Sequence, residues 1–501
     1  MALLVVLLLA FMAALATARP AQRTSHPVHL RLGARSGGQY HPDPVTRRHW
    51  TRERALGADE RTPQRRSTTS GSTSLDSYNH DAVYTVPVEI GTPPQLFNLV
   101  LDTGSRTTWV GGKACSSCGT GLFDTDRSRS FKKTKVSFSV AYVDGTNATG
   151  VYGRDTVTVA GHAVDQQAFG LASNISATLS TQLNGTDTDG LMGFAWPDAG
   201  ADANGRPFWF NSLPEWPEPL FSVFLTRSSF SQVVDNSNSS NEYDCHNANA
   251  GMVTLGGVNA QLYTGDINYV PLQKAAGATS YKFWSLSLDG VVANGVAINV
   301  SSLGADGDPP PLATLDTGTS LITGPADAVA EIYRQIPNAT FDAGLGTYVF
   351  PCDSNLTLSF GLGGKSYNVS PADLVYSIQL EDASTVSDLM CTGAIGVCND
   401  NKWTLGATFL KNVYSVYRFD PPAVGLASLA PGLDNDDYTY TDDELSDALN
   451  EAAQHAAVCP HSARGNKQSS ARRRALLLPR MPLILAILGA LTTTITSSCL
   501  L

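Results

Sequence analysis

The sequence predicts an all-β protein with two similar lobes, and three observations carry that prediction. Residues 100–105, an apolar strand running into Asp-Thr-Gly, have a counterpart in residues 314–319, in the other half of the chain. Runs such as residues 84–89 alternate apolar and polar side chains and end at Gly and Pro, the pattern of a strand followed by a turn. A chain of 501 residues with 42% apolar content is long enough for two or more domains with large cores.

Asp102 and Asp316 end the repeated strands, and their duplication predicts acid–base chemistry. One Asp-Thr-Gly is an ordinary turn sequence, but two copies with the same apolar lead-in predict a pair of carboxyls at the ends of buried strands. Two carboxyls that lie close together cannot both ionise, so the pair holds one proton in mild acid. One member can then take a proton from water while the other polarises a carbonyl, which predicts hydrolysis without a covalent intermediate.

The N-terminal segments indicate secretion and processing. Residues 1–18 are mostly apolar and end in small residues, as signal peptides do. Residues 19–66 hold eleven arginines and four acidic residues, a net charge of about +7, whereas residues 67–433 carry about −16. These charges attract at neutral pH and less so in acid, which favours a removable basic propeptide; a disordered basic linker is the alternative. Arg65 and Arg66 offer a site for a dibasic processing protease.

Further patterns extend the repeat beyond the aspartates. Residues 136–142 alternate again, and Asp144 and Gly145 supply the turn of a hairpin. The apolar-apolar-Gly segment in residues 189–195 has a counterpart in residues 403–406. The spacing of apolar residues predicts a short helix over residues 326–336. We therefore expect an N-terminal lobe over residues 67–265 and a C-terminal lobe over residues 266–430.

These motifs resemble those of the pepsin-like aspartic proteases, including fungal secreted or GPI-anchored members of the yapsin type, over residues 84–429. The resemblance implies a bilobal pepsin-like fold with one Asp-Thr-Gly loop in each lobe and the active-site cleft between the lobes. It implies an aspartic-type endopeptidase that is made as a zymogen and is active at acidic pH. Asp102 and Asp316 would form its catalytic pair.

The resemblance also implies supporting roles for six neighbours of the two aspartates. The threonine after each Asp would lock the two loops together, and the hydroxyl residue after each Gly would hydrogen-bond the outer oxygen of the carboxylate. The six residues are Thr103, Gly104, Ser105, Thr317, Gly318 and Thr319.

Tyr142 stands where the resemblance places the tyrosine of a flap that closes over substrate. Asp144 and Gly145 would form the flap tip, and Trp109 would pack behind it. The alternatives are an exposed hairpin tyrosine without a role and, for Trp109, core packing alone.

Eight cysteines are too few for a disulfide scaffold in a chain of this size. Cys115 and Cys118 have the spacing of half a zinc site, but no second pair follows, and a small disulfide loop is favoured in a secreted protein. The resemblance implies a disulfide between Cys352 and Cys391, while the partners of three others stay open: Cys245, Cys398 and Cys459. Eight Asn-x-Ser/Thr sequons fit passage through the secretory pathway. They start at Asn147, Asn174, Asn184, Asn238, Asn299, Asn338, Asn355 and Asn368.

The C-terminal region predicts a tether. Residues 431–470 form an acidic and polar spacer with little apolar content. Small residues, an Arg-containing segment and an apolar end then follow over residues 469–501, which is the order of a GPI-attachment signal. A transmembrane anchor is the alternative, but its arginines would lie on the lumenal side, against the usual charge bias.

The alternative from another functional class is a catalytically inactive pepsin-fold protein that binds or inhibits at the cell surface, and the complete motifs argue against it. A Ser/His hydrolase is disfavoured because only His162 and His246 lie between Asp81 and Gly432, and neither is in a nucleophile motif. We expect an extracellular or cell-surface monomer that cleaves polypeptides, uses no cofactor or metal, binds its own propeptide and does not bind nucleic acid.

Overall fold

The structure, a computed structural model, describes residues 70–78, 81–119, 121–186, 188–197, 205–227, 246–300, 311–379, 389–398 and 402–433. The expected signal peptide and propeptide, nearly all of the acidic spacer and the whole of the expected anchor lie outside these ranges. The described residues belong to one compact unit.

Strands dominate the described residues, as the alternating patterns predict. The strands that begin before residue 272 are β1 Gly71–Tyr78, β2 Val83–Ile90, β3 Gln95–Asp102, β4 Trp109–Gly111, β5 Lys132–Ala141, β6 Asn147–Val159, β7 His162–Ile175, β8 Gly190–Gly193, β9 Leu220–Leu225, β10 His246–Leu255 and β11 Tyr263–Pro271. The later strands are β12 Ser285–Ser287, β13 Gly290–Ala293, β14 Val296–Ile298, β15 Leu312–Leu315, β16 Ile322–Pro325, β17 Thr340–Asp342, β18 Thr347–Pro351, β19 Leu358–Leu362, β20 Lys365–Val369, β21 Val375–Gln379, β22 Met390–Gly393, β23 Ile395–Cys398, β24 Trp403–Leu405, β25 Tyr414–Arg418 and β26 Ala423–Leu429.

The helices are short and lie between strands. Among the described residues, the α-helices are α1 Ala177–Gly185, α2 Phe208–Ser212, α3 Ala326–Tyr333 and α4 Ala407–Leu410, and the 3₁₀ turns are Thr125–Arg127, Leu213–Glu215 and Pro371–Leu374. The helix predicted over residues 326–336 ends at Tyr333, because the amide of Ile336 bonds to the Tyr333 carbonyl in a tighter turn and Pro337 has no amide to donate. No described helix combines the length and apolar content needed to cross a membrane.

The described strands form one large sheet and three smaller ones. The large sheet has 13 strands in the order β11-β26-β25-β9-β10-β1-β2-β3-β8-β4-β7-β6-β5. The smaller sheets have the orders β12-β15-β24-β16-β23, β14-β13-β19-β20 and β17-β18-β22-β21, so they contain only strands from the second half. The all-β bilobal prediction is confirmed. The expected lobe boundary at residue 265 falls within β11, which pairs with β26 in the large sheet.

Both halves place their Asp-Thr-Gly loop in the same local frame. β3 runs parallel to β8, which also pairs antiparallel with β4. In the second half β15 runs parallel to β24, which also pairs antiparallel with β16. In each half, the strand that leads to the Asp pairs with one edge of the apolar-apolar-Gly strand, and the strand after the loop pairs with its other edge. The two Asp-Thr-Gly loops therefore occupy equivalent positions in the two halves.

Candidate active site

Asp102 is the last residue of β3, and its carboxylate is held by its own loop. Its Oδ1 atom accepts hydrogen bonds from the backbone amides of Gly104 at 2.7 Å and Ser105 at 3.0 Å. Its Oδ2 atom accepts a hydrogen bond from the Ser105 hydroxyl. Its backbone carbonyl accepts a hydrogen bond from the Phe194 amide at 2.6 Å, so the neighbouring segment fixes the start of the loop.

Asp316 directly follows β15 and is held in the same way. Its Oδ1 atom accepts a hydrogen bond from the amide of Gly318 at 2.9 Å, and its Oδ2 atom accepts one from the Thr319 hydroxyl at 2.8 Å. Its own amide donates to the carbonyl of Leu405 at 3.1 Å. Both carboxylates are thus oriented by a glycine amide and by the hydroxyl three residues after the Asp.

Each carboxyl also lies against the glycine of the opposite loop. A β-carbon on Gly318 would come within 2.5 Å of Asp102 Oδ1, and one on Gly104 would overlap the Asp316 carboxylate still more closely. Real β-carbons do not make such contacts, so both positions require glycine. The structure therefore brings the two carboxyls of this candidate pair together, with Asp102 only 5% exposed.

Two threonines join the loops reciprocally. The Thr103 hydroxyl donates to the Leu315 carbonyl at 2.9 Å, and the Thr317 hydroxyl donates to the Leu101 carbonyl at 2.5 Å. The backbone amide of Thr103 donates to the Thr317 hydroxyl at 3.1 Å, and the amide of Thr317 donates to the Thr103 hydroxyl at 3.0 Å. All four hydrogen bonds are buried, so they fix one loop relative to the other.

The environment of the two carboxyls favours their protonated forms. Burial, together with the charge of Asp316, raises the pKa of Asp102 from 3.8 to about 8, although the hydrogen bond from Ser105 opposes the change. Burial also raises the pKa of Asp316 above its ordinary value, against the hydrogen bond from Thr319. A buried pair of neighbouring carboxyls holds a proton that an isolated, exposed carboxyl would lose in mild acid.

The two apolar-apolar-Gly segments support the loops from behind. The amide of Ala195 donates to the Ser105 carbonyl at 2.9 Å, and the amide of Ala407 donates to the Thr319 carbonyl at 2.8 Å. A β-carbon on Gly406 would overlap that Thr319 carbonyl. The repeat in the sequence thus corresponds to a repeat in the contacts.

The expected flap is the hairpin of β5 and β6. The amide of Tyr142 donates to the Thr146 carbonyl at 2.9 Å, and the amide of Gly145 donates to the Tyr142 carbonyl at 3.0 Å. The Asp144 carboxylate accepts hydrogen bonds from the amide and the hydroxyl of Thr146, at 2.8 and 2.7 Å. Gly145 has φ +81° and open space around it, which suits a tight turn at an exposed tip.

Trp109 lies behind this hairpin and contacts its tyrosine. The indole Nε1–H of Trp109, a fully buried residue, donates to the Tyr142 hydroxyl at 2.6 Å. Burial raises the pKa of Tyr142, and the charge of Asp102 raises it further, so the hydroxyl is neutral and within electrostatic reach of the carboxyl pair. Trp109 is therefore both packed in the core and bonded to the hairpin tyrosine.

Two disulfides are present where the sequence suggested them. Cys115 and Cys118 are joined, and both belong to the buried cluster that contains Trp109. Cys352 and Cys391 are joined across the end of β18 and β22. Cys398 is disulfide-bonded as well.

Sequence reasoning missed Trp284, which connects the halves behind the loops. Its indole Nε1–H donates to the Phe194 carbonyl at 2.8 Å, and its own carbonyl accepts from the Leu315 amide at 3.1 Å. It thereby links the segment behind Asp102 to the strand that leads to Asp316. A lone tryptophan in an apolar stretch gave no local signal, because the contact joins residues that are distant in sequence.

Comparison with known proteins agrees with this geometry. The family model of eukaryotic aspartyl proteases matches residues 83–429. The major aspartyl peptidase 1 of Cryptococcus neoformans var. grubii is 35% identical over 74% of this chain and 73% of its own length. An aspartic protease of Phaffia rhodozyma is 30% identical over 77% of this chain and 87% of its own, and pepsin A of Sus scrofa is 31% identical over 72% and 84%. With two Asp-Thr-Gly loops locked face to face in a fold of paired strands, this chain belongs to the eukaryotic aspartyl protease family, whose members are aspartic-type endopeptidases.

Proposed function

We propose that Asp102 and Asp316 are the catalytic pair of this endopeptidase and cleave peptide bonds in acid. The observation that carries the proposal is the reciprocal contact between each carboxyl and the glycine of the other loop. Such a pair shares one proton, and the position of that proton is a property of the pair. Burial extends the range over which the proton is held.

The pair supplies both proton transfers of the hydrolysis. The ionised carboxyl takes a proton from a water between the two side chains, and the water oxygen forms a bond to the carbonyl carbon of the substrate. The protonated carboxyl donates a hydrogen bond to the carbonyl oxygen as charge develops there. The C–N bond then breaks while the leaving nitrogen receives the proton taken from water, so the pair returns to one proton.

A hairpin that closes over the pair would suit an extended polypeptide substrate. Tyr142 is held by Trp109 from behind, while Val143 beside it is 60% exposed at the tip. Closure of this hairpin would exclude water from the bond being cleaved and place the tyrosine hydroxyl near the substrate.

We also propose a secreted zymogen that is tethered to the cell surface. The supports are the apolar residues 1–18, the charge of about +7 on residues 19–66 against about −16 on the body, and Arg65-Arg66 as a processing site. The asparagines of five sequons are exposed, which leaves room for glycans: Asn174, Asn299, Asn338, Asn355 and Asn368. The order of small, Arg-containing and apolar segments after residue 468 supports a GPI anchor.

An assay on the purified, acid-treated chain tests the catalytic proposal. We expect it to cleave a denatured protein between about pH 3 and 6, in the range where one proton is held by the pair. A statine-type inhibitor should block cleavage. A folded protein that binds the inhibitor but cleaves nothing at any pH would instead support a binding protein with this fold.

A further inference from the structure

Tyr417 carries a buried hydroxyl close to the two Asp-Thr-Gly loops. The residue lies on β25 and is 0% exposed, and its hydroxyl makes no hydrogen bond to the described residues. A buried phenol normally has a partner, because leaving the hydroxyl without one costs free energy. This position therefore needs an explanation that packing alone does not give.

Aromatic contacts fix the Tyr417 ring behind the loops. It stacks on Phe221 at 4.7 Å between ring centroids and 9° between planes, and it meets the edge of Trp284 at 5.2 Å. Trp284 is the residue that binds both the Phe194 carbonyl and the Leu315 amide. The phenol is thus anchored on the residue that spans the two halves.

The polar groups nearest the Tyr417 hydroxyl belong to the loops and to its own strand. Burial raises the pKa of Tyr417, the hydroxyls of Ser415 and Thr103 lower it, and the charge of Asp316 raises it. The Ser415 hydroxyl already donates to the Val223 carbonyl at 3.2 Å. Tyr417 also packs against Trp284, whose carbonyl accepts the Leu315 amide, and Thr103 donates to the carbonyl of the same Leu315. The phenol therefore lies beside the hydrogen bonds that Thr103 and Thr317 make between the loops.

Thr103 has capacity for one more hydrogen bond. Its hydroxyl proton is donated to the Leu315 carbonyl, and one lone pair accepts the Thr317 amide. A hydroxyl has two acceptor sites, so the second lone pair of Thr103 is available to a donor. Tyr417 is a buried donor without an acceptor among the described residues, and Thr103 offers one.

We propose that Tyr417 is a positioning residue for the Asp102 and Asp316 pair, donating a hydrogen bond to Thr103 Oγ1. This inference rests on the proposed catalytic role of the pair. The bond makes Thr103 a stronger donor to the Leu315 carbonyl, which lies directly before Asp316. The bond acts on Thr103 alone, so the two loops are held by different sets of hydrogen bonds. By fixing the spacing of the loops it keeps the carboxyls close together, so the pH values at which the pair loses its two protons stay well separated.

The test is Tyr417→Phe, with Tyr414→Phe as a matched control on the same strand. Tyr414 is also buried, but its hydroxyl is satisfied, donating to Ser222 at 2.7 Å and accepting from the Asn259 amide at 2.8 Å. We expect Tyr417→Phe to lower kcat about three- to tenfold with KM unchanged, the size of one lost hydrogen bond. The acid and alkaline limbs of its kcat profile should move closer together, and its Tm should fall by about as much as that of the control, because each change removes a buried, hydrogen-bonded hydroxyl.

The control should keep the wild-type kinetics, because Tyr414→Phe removes hydrogen bonds to Ser222 and Asn259, away from the loops. We expect a lower Tm with wild-type kcat and wild-type limbs. The inference is overturned if Tyr417→Phe keeps the wild-type kcat and limbs, or if it loses Tm and kcat together with unmoved limbs.

A titration that needs no turnover separates this inference from the proposed function. The carboxyl carbons of Asp102 and Asp316 are followed by ¹³C NMR in aspartate-labelled wild type and in both variants. Absence of statine-sensitive cleavage by the wild type would overturn the proposed function. The positioning role is still decided by whether Tyr417→Phe brings the two titration steps closer together, and identical titrations would overturn it.

Discussion

Thr103 and Thr317 exchange hydrogen bonds in both directions, so the position of each aspartate depends on the loop that carries the other. Each hydroxyl donates across to the carbonyl before the opposite Asp and accepts the opposite amide. Neither loop can move toward or away from the cleft without breaking a buried bond. The two carboxyls are therefore spaced by this lock and by the glycines beside it.

Replacing Thr103 by Val should loosen both loops. The change leaves the Leu315 carbonyl and the Thr317 amide without partners, and each buried group left unpaired costs about 1–3 kcal/mol of unfolding free energy. Thr103→Ser is the matched control, because it keeps the hydroxyl. The unfolding free energy and the rate of peptide hydrolysis should both be lower for Thr103→Val than for Thr103→Ser. Similar values for the two variants would show that the Thr103 hydroxyl does not hold the loops together.

Gly104→Ala should lower activity sharply. Its β-carbon would overlap the Asp316 carboxylate, and displacing a reacting group by about 1 Å costs on the order of 100-fold in rate. Gly290→Ala is the control, since no atom lies within 4 Å of its added β-carbon and its φ is ordinary. Equal kcat in the two variants would show that the carboxyls are not held in contact with the opposite glycines.

The candidate site was largely predictable because its signals are local. Asp102 and Asp316 lie in repeated motifs, and the residues next to each Asp determine the turn. The hairpin that contains Tyr142 is predicted by its alternation of apolar and polar residues and by its Asp-Gly turn. β2 and β5 were predictable for the same reason, because the alternation of apolar and polar residues within each strand is a local signal. Repetition of the motif added the information that one copy lacks, namely that two loops face each other.

The remaining features depend on contacts between distant residues. Trp284 and Tyr417 lie in apolar segments that any core strand could contain, and only the fold places them behind the loops. The pairing of β25 and β26 with β9 and β11 likewise joins residues far apart in sequence. A pattern within a short window of the sequence contains no information about partners that are distant in the chain.

The carboxyl pair should also make stability fall as pH rises. The pKa of Asp102 is raised from 3.8 to about 8, so between these values the folded state holds a proton that the unfolded chain has lost. Proton binding by the folded state alone means that the unfolding free energy decreases with pH through this window, by up to about 1.4 kcal/mol per unit for one proton. Well below pH 3.8 both states are protonated and the effect vanishes.

Asp102→Asn isolates this contribution, because the amide stays neutral at every pH. The variant should match the wild type near pH 3 and become increasingly more stable than it toward pH 8. Denaturant unfolding at five or six pH values measures the difference. Parallel pH dependences for the two proteins would exclude a raised carboxyl pKa at this position.

A buried ion cluster joins the N-terminal strands to the second half. The Asp373 carboxylate accepts hydrogen bonds from Arg227 Nε at 2.8 Å and Lys411 Nζ at 2.9 Å, and Lys411 lies 3.6 Å from Asp81. Burial alone would lower the pKa of Lys411, but the charges of Asp373 and Asp81 outweigh it and raise that pKa. The cluster is satisfied as a unit, so removing one member leaves a charge unpaired.

Asp373→Ala should therefore destabilise the protein strongly. Breaking a buried ion pair by removing one partner costs about 3–5 kcal/mol, and here two cations lose it. Lys113→Ala is the control, because Lys113 pairs with Asp124 at an exposed site, and its Tm should stay unchanged. A Tm for Asp373→Ala within 2 °C of the wild type would show that solvent replaces the lost partner.

The central claim is that Asp102 and Asp316 act as one catalytic unit, and kcat of three folded variants tests it most directly. The variants are Asp102→Asn, Asp316→Asn and the double substitution, with folding checked by circular dichroism and statine binding. Groups that act as a unit are non-additive, so each single change should lower kcat by about 10⁴-fold or more and the double change should add nothing further. A folded single variant that keeps a tenth of the wild-type kcat, or a double variant whose losses multiply, would contradict the shared-proton pair.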